Sequence, residues 1–114
     1  MASLPVGQDT ENLIDAKVLS ALGPKGYFIN VARGSVVDEE ALLTALENKT
    51  IAGAALDVFW NEPNINPRFL KLDNVVLSPH CGSGTTETRA AMGKLVRDNL
   101  TAHFSGKHLL TPFT

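Results

Sequence analysis

Three residues of this chain, Arg33, Glu62 and His80, each lie just beyond an apolar segment and could act together on a small acid. An arginine guanidinium forms two parallel, charge-assisted hydrogen bonds with a carboxylate, so Arg33 suits a substrate that carries one. A histidine changes its charge near neutral pH, and a neighbouring carboxylate such as Glu62 favours the imidazolium form. That form makes His80 a usable proton donor.

Each of these residues also has an ordinary structural interpretation. Arg33 could pair with a helix carboxylate, Glu62 could be a solvated loop acid, and His80 could be a loop histidine with a surface hydrogen bond. The sequence that follows His80, Cys81 to Gly84 (CGSG), favours the functional interpretation because it allows a tight turn next to a helix start.

The segments that would position these residues alternate between apolar runs typical of buried strands and the apolar pattern of helices. Apolar runs predict strands at 27–32 (YFINVA), 51–58 (IAGAALDV) and 74–77 (NVVL). Helices are predicted at 16–22, 39–49 and 87–104, with N-caps at Asp15, Asp38 and Thr85 or Thr86 and stops at Gly23 and Gly106. Residues 1–4 could be the end of a strand, residues 5–10 form a turn, and the apolar tail 108–114 is expected to dock on another surface.

Strands that are apolar throughout and are joined by helices predict an α/β fold with a doubly wound parallel sheet covered on both faces. Ligands of such sheets bind beyond the carboxyl ends of the strands. Arg33, Asp57 with Glu62, and His80 all follow those ends, so we expect their side chains to share one crevice.

Composition excludes several classes of function. The chain has 114 residues, 44% of them hydrophobic, and a net charge of −2, which predicts one packed domain and no nucleic-acid partner. Its single cysteine, Cys81, excludes a disulfide framework and a cysteine-rich zinc site. No apolar run is long enough for a bilayer, and the first residues lack the features of a signal peptide. We therefore expect a cytoplasmic protein with no membrane partner and no metal.

The glycine pattern lacks the turn that cradles a dinucleotide pyrophosphate. That turn requires G-x-G-x-x-G between a strand and a helix. Gly82 and Gly84 supply the first two glycines, but Glu87 stands in place of the third. No other stretch fits the pattern.

Three longer segments carry a family resemblance. NVARGSVVDEEAL (30–42), AGAALDVFWNEP (52–63) and NVVLSPHCGSGTTETR (74–89) resemble, in this order, the signature segments of the D-isomer-specific 2-hydroxyacid dehydrogenases. The resemblance extends from about residue 5 to residue 112. Within the family, the sequence most resembles the glyoxylate/hydroxypyruvate and hydroxyphenylpyruvate reductases. It implies an oxidoreductase that uses NAD or NADP to reduce a small 2-keto acid to the D-2-hydroxy acid.

The resemblance also assigns roles to individual residues. It implies that Arg33 binds the carboxylate and keto oxygen of the substrate, that His80 protonates the carbonyl oxygen, and that Glu62 orients His80. Val31 and Asp57 match positions on the nicotinamide and ribose side of the cofactor, and Pro5 matches a proline near its adenosine half. Two positions depart from the family pattern: Gly7 replaces a frequent threonine, and Cys81 replaces an apolar residue.

The family's proteins also carry a substrate domain and a G-x-G-x-x-G unit that this sequence lacks. Residues 1–114 are therefore expected to be a partial NAD(P)-binding domain: half of a Rossmann-type sheet of about three strands with flanking helices, plus a long C-terminal helix. An exposed sheet edge predicts a homodimer or other self-association and little activity for the chain alone. A non-catalytic self-associating module and a truncated or mis-started version of the same fold remain alternatives.

Overall fold

A computed structural model describes residues 1–5 and 7–112 and shows two compact units, Met1–Cys81 and Gly82–Thr114. The first unit contains the strands and the first α-helices: β1 (Tyr27–Asn30), β2 (Gly53–Leu56), β3 (Val75–Leu77), α1 (Ala16–Leu22) and α2 (Glu39–Glu47). Short 3₁₀ turns lie at Gln8–Thr10, Gly34–Val36 and Pro67–Lys71. The second unit contains α3 (Thr86–Phe104).

The strands form one parallel sheet in the order β1-β2-β3. Ala2 adds an isolated parallel bridge to Asn30, so the first residues pair with the edge of β1 without forming a strand of their own. The predicted parallel α/β architecture is thus confirmed, although the strands are shorter than the apolar runs. At the start of the second run, the Ile51 amide donates to the Ala45 carbonyl at the end of α2 instead of extending the strand.

The helices begin where their capping residues predict. Asp15 Oδ1 accepts hydrogen bonds from the backbone amides of Lys17 and Val18, both at 2.9 Å. Asp38 and Thr85 cap α2 and α3 in the same way. These side chains satisfy amides that have no partner inside the helix. The predicted N-caps are therefore confirmed, and α2 ends two residues earlier than its apolar pattern suggests.

The core of the first unit lies on one face of the sheet. Phe28 and Ala54 are buried there against leucines of α1 and α2: Leu19, Leu42, Leu43 and Leu46. On the opposite face Tyr27 and Val76 are 69% and 68% exposed. The expectation of a sheet covered on both faces was therefore wrong for this chain. Apolar strand residues show which surfaces can pack, but not whether the same chain supplies the packing partner.

In the second unit, the tail returns along α3. The amides of Leu110 and Thr111 donate to Asn99 Oδ1, at 3.0 and 3.2 Å. The tail thus contacts α3 through hydrogen bonds, but Leu109 and Leu110 stay 41% and 56% exposed, so the predicted apolar docking is not observed. The last two residues of the tail, together with Val6 in the predicted N-terminal turn, lie outside the described residues. Within residues 1–5 and 7–112, no helix has the combined length and apolarity needed to cross a bilayer.

Candidate active site

Residues that follow the carboxyl ends of the strands meet in one cleft of the first unit. Arg33 lies beyond β1, Glu62 lies in the connection after β2, and His80 lies just beyond β3. The cleft has a volume of about 400 Å³ and is lined by these three residues with Gly34, Ser35, Phe59 and Trp60. The structure therefore brings the predicted catalytic residues together, while their roles stay predictions at this point.

His80 and Glu62 are joined by a short hydrogen bond. The distance between His80 Nδ1 and Glu62 Oε2 is 2.7 Å. The hydrogen bond from His80 holds the pKa of the Glu62 carboxyl below its ordinary value, opposed by partial burial and assisted by the Phe59 amide and by the charges of His80 and Arg33. An ionised carboxylate only accepts hydrogen bonds, so Nδ1 carries the proton of this pair. The other ring nitrogen, Nε2, is available to hydrogen-bond a ligand.

The loop that carries Glu62 is fixed by its own backbone and by Trp60. The Phe59 amide donates to Glu62 Oε1 at 2.9 Å, so both carboxylate oxygens have a protein partner. The Trp60 indole donates to the Val37 carbonyl at 2.7 Å, which ties the loop to the segment between Arg33 and α2. The carboxylate is thereby oriented before any ligand binds.

The turn that carries Arg33 is held by a buried amide and a close backbone contact. The side chain of Asn30 donates to the Arg33 carbonyl at 2.9 Å and accepts from the Ala32 amide at 3.0 Å. A Cβ atom on Gly34 would overlap the Phe59 carbonyl group, so glycine is required for the Arg33 turn to approach the loop of Glu62. The exposed guanidinium itself donates to the Ala32 carbonyl at 2.6 Å.

The loop that carries His80 adopts an unusual backbone conformation. His80 has a φ of +52°, a left-handed conformation that costs a non-glycine residue about 1 kcal/mol or more. The following amide, that of Cys81, donates to Asp57 Oδ1 at 3.0 Å. Asp57 thus anchors the His80 loop to the end of β2. Its predicted contact with a cofactor stays a prediction.

A second hollow adjoins the cleft through Arg33. It has a volume of about 610 Å³ and is lined by Ser3, Leu4, Pro5, Val31, Ala32 and Arg33. Pro5 and Val31, which the resemblance assigns to the cofactor, therefore share one surface next to the cleft. Among the described residues, no group of His, Cys, Asp or Glu could hold a metal ion.

Sequence reasoning missed Asn30, Gly34 and Trp60. An amide at the end of an apolar strand was a usable signal for Asn30, because a buried polar group needs partners and here finds them in the next turn. Gly34 and Trp60 gave no such signal. Their importance depends on segments that are distant in the sequence.

Comparison with known proteins identifies the family of this chain. The signature of "D-isomer specific 2-hydroxyacid dehydrogenase, NAD binding domain" matches residues 1–82, which include every residue of the cleft. This chain belongs to the D-isomer-specific 2-hydroxyacid dehydrogenase family. It is 59% identical over 106 residues to the 2-ketogluconate reductase of Gluconobacter oxydans, covering 93% of this chain and 34% of that protein. It is 52% identical to glyoxylate/hydroxypyruvate reductase A of Arabidopsis thaliana, covering 98% of this chain and 36% of that protein.

A solved structure of the family has the same fold. The NADPH-dependent glyoxylate/hydroxypyruvate reductase of Sinorhizobium meliloti, in complex with NADP and malonate, matches with a TM-score of 0.94 and 56% identity. The match covers 97% of this chain and 35% of that protein. The chain therefore spans about a third of the length of these relatives.

Proposed function

We propose that this chain supplies the catalytic residues of an NAD(P)-dependent reductase that converts a small 2-keto acid, of the glyoxylate or hydroxypyruvate class, to the D-2-hydroxy acid. The observation that carries the proposal is the cleft shared by the Arg33 guanidinium and the His80–Glu62 pair. Relatives named for these reactions, including the reductase of Sinorhizobium meliloti, support it.

Each side chain of the cleft has a defined task in this reaction. Arg33 is exposed and can offer its guanidinium to the carboxylate and keto oxygen of the substrate. His80, with Nδ1 held by Glu62, donates a proton from Nε2 to the carbonyl oxygen as that oxygen gains negative charge. Glu62 keeps the ring oriented and stabilises the imidazolium that must precede this transfer. The bound nicotinamide supplies the hydride.

The hollow lined by Pro5 and Val31 suits NAD or NADP, with the nicotinamide end toward Val31 and Arg33 and the adenosine half toward Pro5. Asp57, at the end of β2, would contact the nicotinamide end. The sequence offers no glycine turn for the pyrophosphate, so residues 1–114 act as a partial NAD(P)-binding domain whose own affinity for the cofactor is low.

A chimeric enzyme tests this function. In the Sinorhizobium chimera, residues 1–112 of this chain replace the matching third of the Sinorhizobium meliloti reductase, which has the same fold over 97% of this chain. We expect NADPH oxidation with glyoxylate or hydroxypyruvate, and a loss of at least 1,000-fold in kcat for His80→Ala. The matched control is His103→Ala, which changes a histidine of the second unit and keeps activity. A folded chimera without turnover, or one that His80→Ala leaves active, contradicts the proposal.

Self-association is a second property that we propose for this chain. Met92, Val96, Leu100 and Phe104 form a stripe along α3 and are 49%, 60%, 52% and 83% exposed. Exposed apolar patches mark interaction surfaces, and we propose a second copy of this chain as the partner, which gives a homodimer. Light scattering of the isolated chain should give twice the 12.2 kDa mass, and Val96→Lys with Leu100→Lys should restore the monomer. A monomeric wild-type chain contradicts this proposal. A dimer whose chimera lacks turnover supports the non-catalytic alternative.

A further inference from the structure

We propose that Asn30 is a positioning residue that sets where the Arg33 guanidinium stands in the cleft. The inference rests on the proposed function, in which Arg33 binds the substrate. Asn30 touches neither the cleft nor the hollow beside it, and it would act through the backbone turn that carries Arg33.

The amide group of Asn30 is completely buried, and both of its ends bind the turn. Nδ2 donates to the Arg33 carbonyl at 2.9 Å, while Oδ1 accepts from the Ala32 amide at 3.0 Å. A side-chain amide provides a donor and an acceptor in one plane, whereas a carboxylate provides acceptors alone. Replacement by Asp would therefore leave the Arg33 carbonyl without its donor, and replacement by Leu would leave both backbone groups unsatisfied.

Asn30 also connects the Arg33 turn to the loop of His80. Its backbone carbonyl accepts from the Asp57 amide at 3.0 Å, and Asp57 Oδ1 accepts from the Cys81 amide at 3.0 Å. A continuous series of hydrogen bonds therefore extends from the Arg33 turn, across the ends of β1 and β2, to the residue after His80. This series connects the backbone that carries Arg33 with the backbone that carries His80, the two groups that act on one substrate in the proposed reaction.

The sheet itself gives no reason for an amide at this position. Asn30 lies in register with Leu56 of β2, which in turn lies beside Leu77 of β3. An apolar residue would thus continue this row of the core. Both side-chain bonds of Asn30 go to the turn at Ala32 and Arg33, which carries a residue of the cleft, and this points to a role in the site rather than in sheet stability.

A comparison of the buried amide of Asn30 with the partly buried amide of Asn74 tests this role in the chain itself. Asn30→Ala removes both bonds to the turn, whereas the control Asn74→Ala removes the bond from Asn74 Nδ2 to the Leu46 carbonyl at 3.1 Å, outside the cleft. We expect hydrogen exchange of the Ala32 amide to become at least 100-fold faster in Asn30→Ala and to stay unchanged in Asn74→Ala. Unchanged exchange in Asn30→Ala overturns the proposal, whether or not the proposed function holds.

Kinetics of the Sinorhizobium chimera test whether Asn30 acts through Arg33. A misplacement of about 1 Å can reduce a rate by about 100-fold, so we expect kcat/KM of Asn30→Ala to fall by about that factor, while Asn74→Ala keeps its value. In a chimera that already carries Arg33→Ala, adding Asn30→Ala should lower kcat/KM by less than threefold, because the two residues act as one unit.

If the losses of kcat/KM in Asn30→Ala and Arg33→Ala multiply in the double variant, the proposal is overturned. Asn30 would then support the fold and would not act through the position of Arg33. Asn30→Ser, whose hydroxyl can keep one of the two bonds, should lose less kcat/KM than Asn30→Ala and serves as the measured variant if Asn30→Ala does not fold. Full activity of Asn30→Ser with a fast-exchanging Ala32 amide would also overturn it. An inactive wild-type chimera would refute the proposed function alone, and the exchange experiment would still decide the position of the turn.

Discussion

Replacing Glu62 with Gln removes one charge from the His80–Glu62 pair and changes little else in shape. The amide oxygen of Gln can still accept from the Phe59 amide, as Glu62 Oε1 does at 2.9 Å. The NH₂ group that takes the place of Oε2 cannot accept from His80 Nδ1, which stands at 2.7 Å. The substitution therefore isolates the contribution of the charged hydrogen bond.

The exposure of the pair sets the size of the effect. The side chains of His80 and Glu62 are 44% and 34% exposed, so solvent screens their attraction. Ion pairs with this exposure contribute about 0.2 to 1 kcal/mol. We expect about 1 kcal/mol, the upper end of this range, because the distance between His80 Nδ1 and Glu62 Oε2 is short and both carboxylate oxygens accept hydrogen bonds. This value corresponds to about a fivefold change in an equilibrium constant.

The pH dependence has a definite sign. The pKa of Glu62 lies below its ordinary value of 4.5 in the folded chain, because the hydrogen bond from His80 favours the carboxylate. Its contribution is therefore complete above pH 4.5 and is lost as the pH falls through the lowered pKa. We expect Glu62→Gln to cost about 1 kcal/mol at pH 5.5 and less than half of that at pH 3.

Urea unfolding followed by tryptophan fluorescence measures this difference. Trp60 is the only tryptophan of the chain and lies in the same loop as Glu62, so it reports on the first unit. In the Sinorhizobium chimera, the same variant should lower kcat/KM about fivefold or more. Glu40→Gln is the matched control for activity, because Glu40 pairs with Arg68 away from the cleft and is 71% exposed.

Two results would refute this reasoning. An equal effect of Glu62→Gln at pH 3 and pH 5.5 would show that the carboxylate charge is not what stabilises the loop. An unchanged kcat/KM in an active chimera would show that His80 does not need Glu62 for its reaction.

Three further predictions concern the support of the site and the fold. Gly34→Ala forces a Cβ atom against the Phe59 carbonyl and should cost about 1 to 3 kcal/mol in urea unfolding, whereas Ser35→Ala should stay near wild type. Asp15→Ala removes the acceptor for two amides of α1 and should cost about 1 kcal/mol by the same measurement; an unchanged midpoint would contradict the cap. Leu46→Ala empties a position that is 1% exposed and should cost about 2 to 5 kcal/mol, and a smaller loss would show that the site collapses.

Much of the fold could be predicted from local chemistry. A helix begins where an acid or a threonine can accept the first free amides, so Asp15, Asp38 and the pair Thr85 and Thr86 marked the helix starts without any knowledge of packing, and the structure selects Thr85 of the pair. Strand ends were less predictable. The apolar run extends to Ala32, but β1 ends at Asn30, whose side chain accepts from the Ala32 amide, and the amide at this position was the one signal of that end.

The candidate site divides in the same way. Arg33, Glu62 and His80 could be selected because parallel strands deliver their ends to one edge of a sheet. The sequence could not show that Glu62 binds His80 rather than solvent, or that Asp57 binds the amide of Cys81. Those partners lie 18 and 24 residues apart, and the loops between them have no periodicity that would fix their path.

The sequence by itself determined the element types, their order and the residues able to transfer a proton or bind a carboxylate, because these follow from local backbone preferences and side-chain chemistry. Tertiary structure alone decided how the Arg33 turn packs against the loop of Glu62, which depends on the missing side chain of Gly34 and on the bond from Trp60 to Val37. It also decided that one face of the sheet, with Tyr27 and Val76, stays exposed. Such contacts join distant segments, and their free energies depend on the packing of the folded chain.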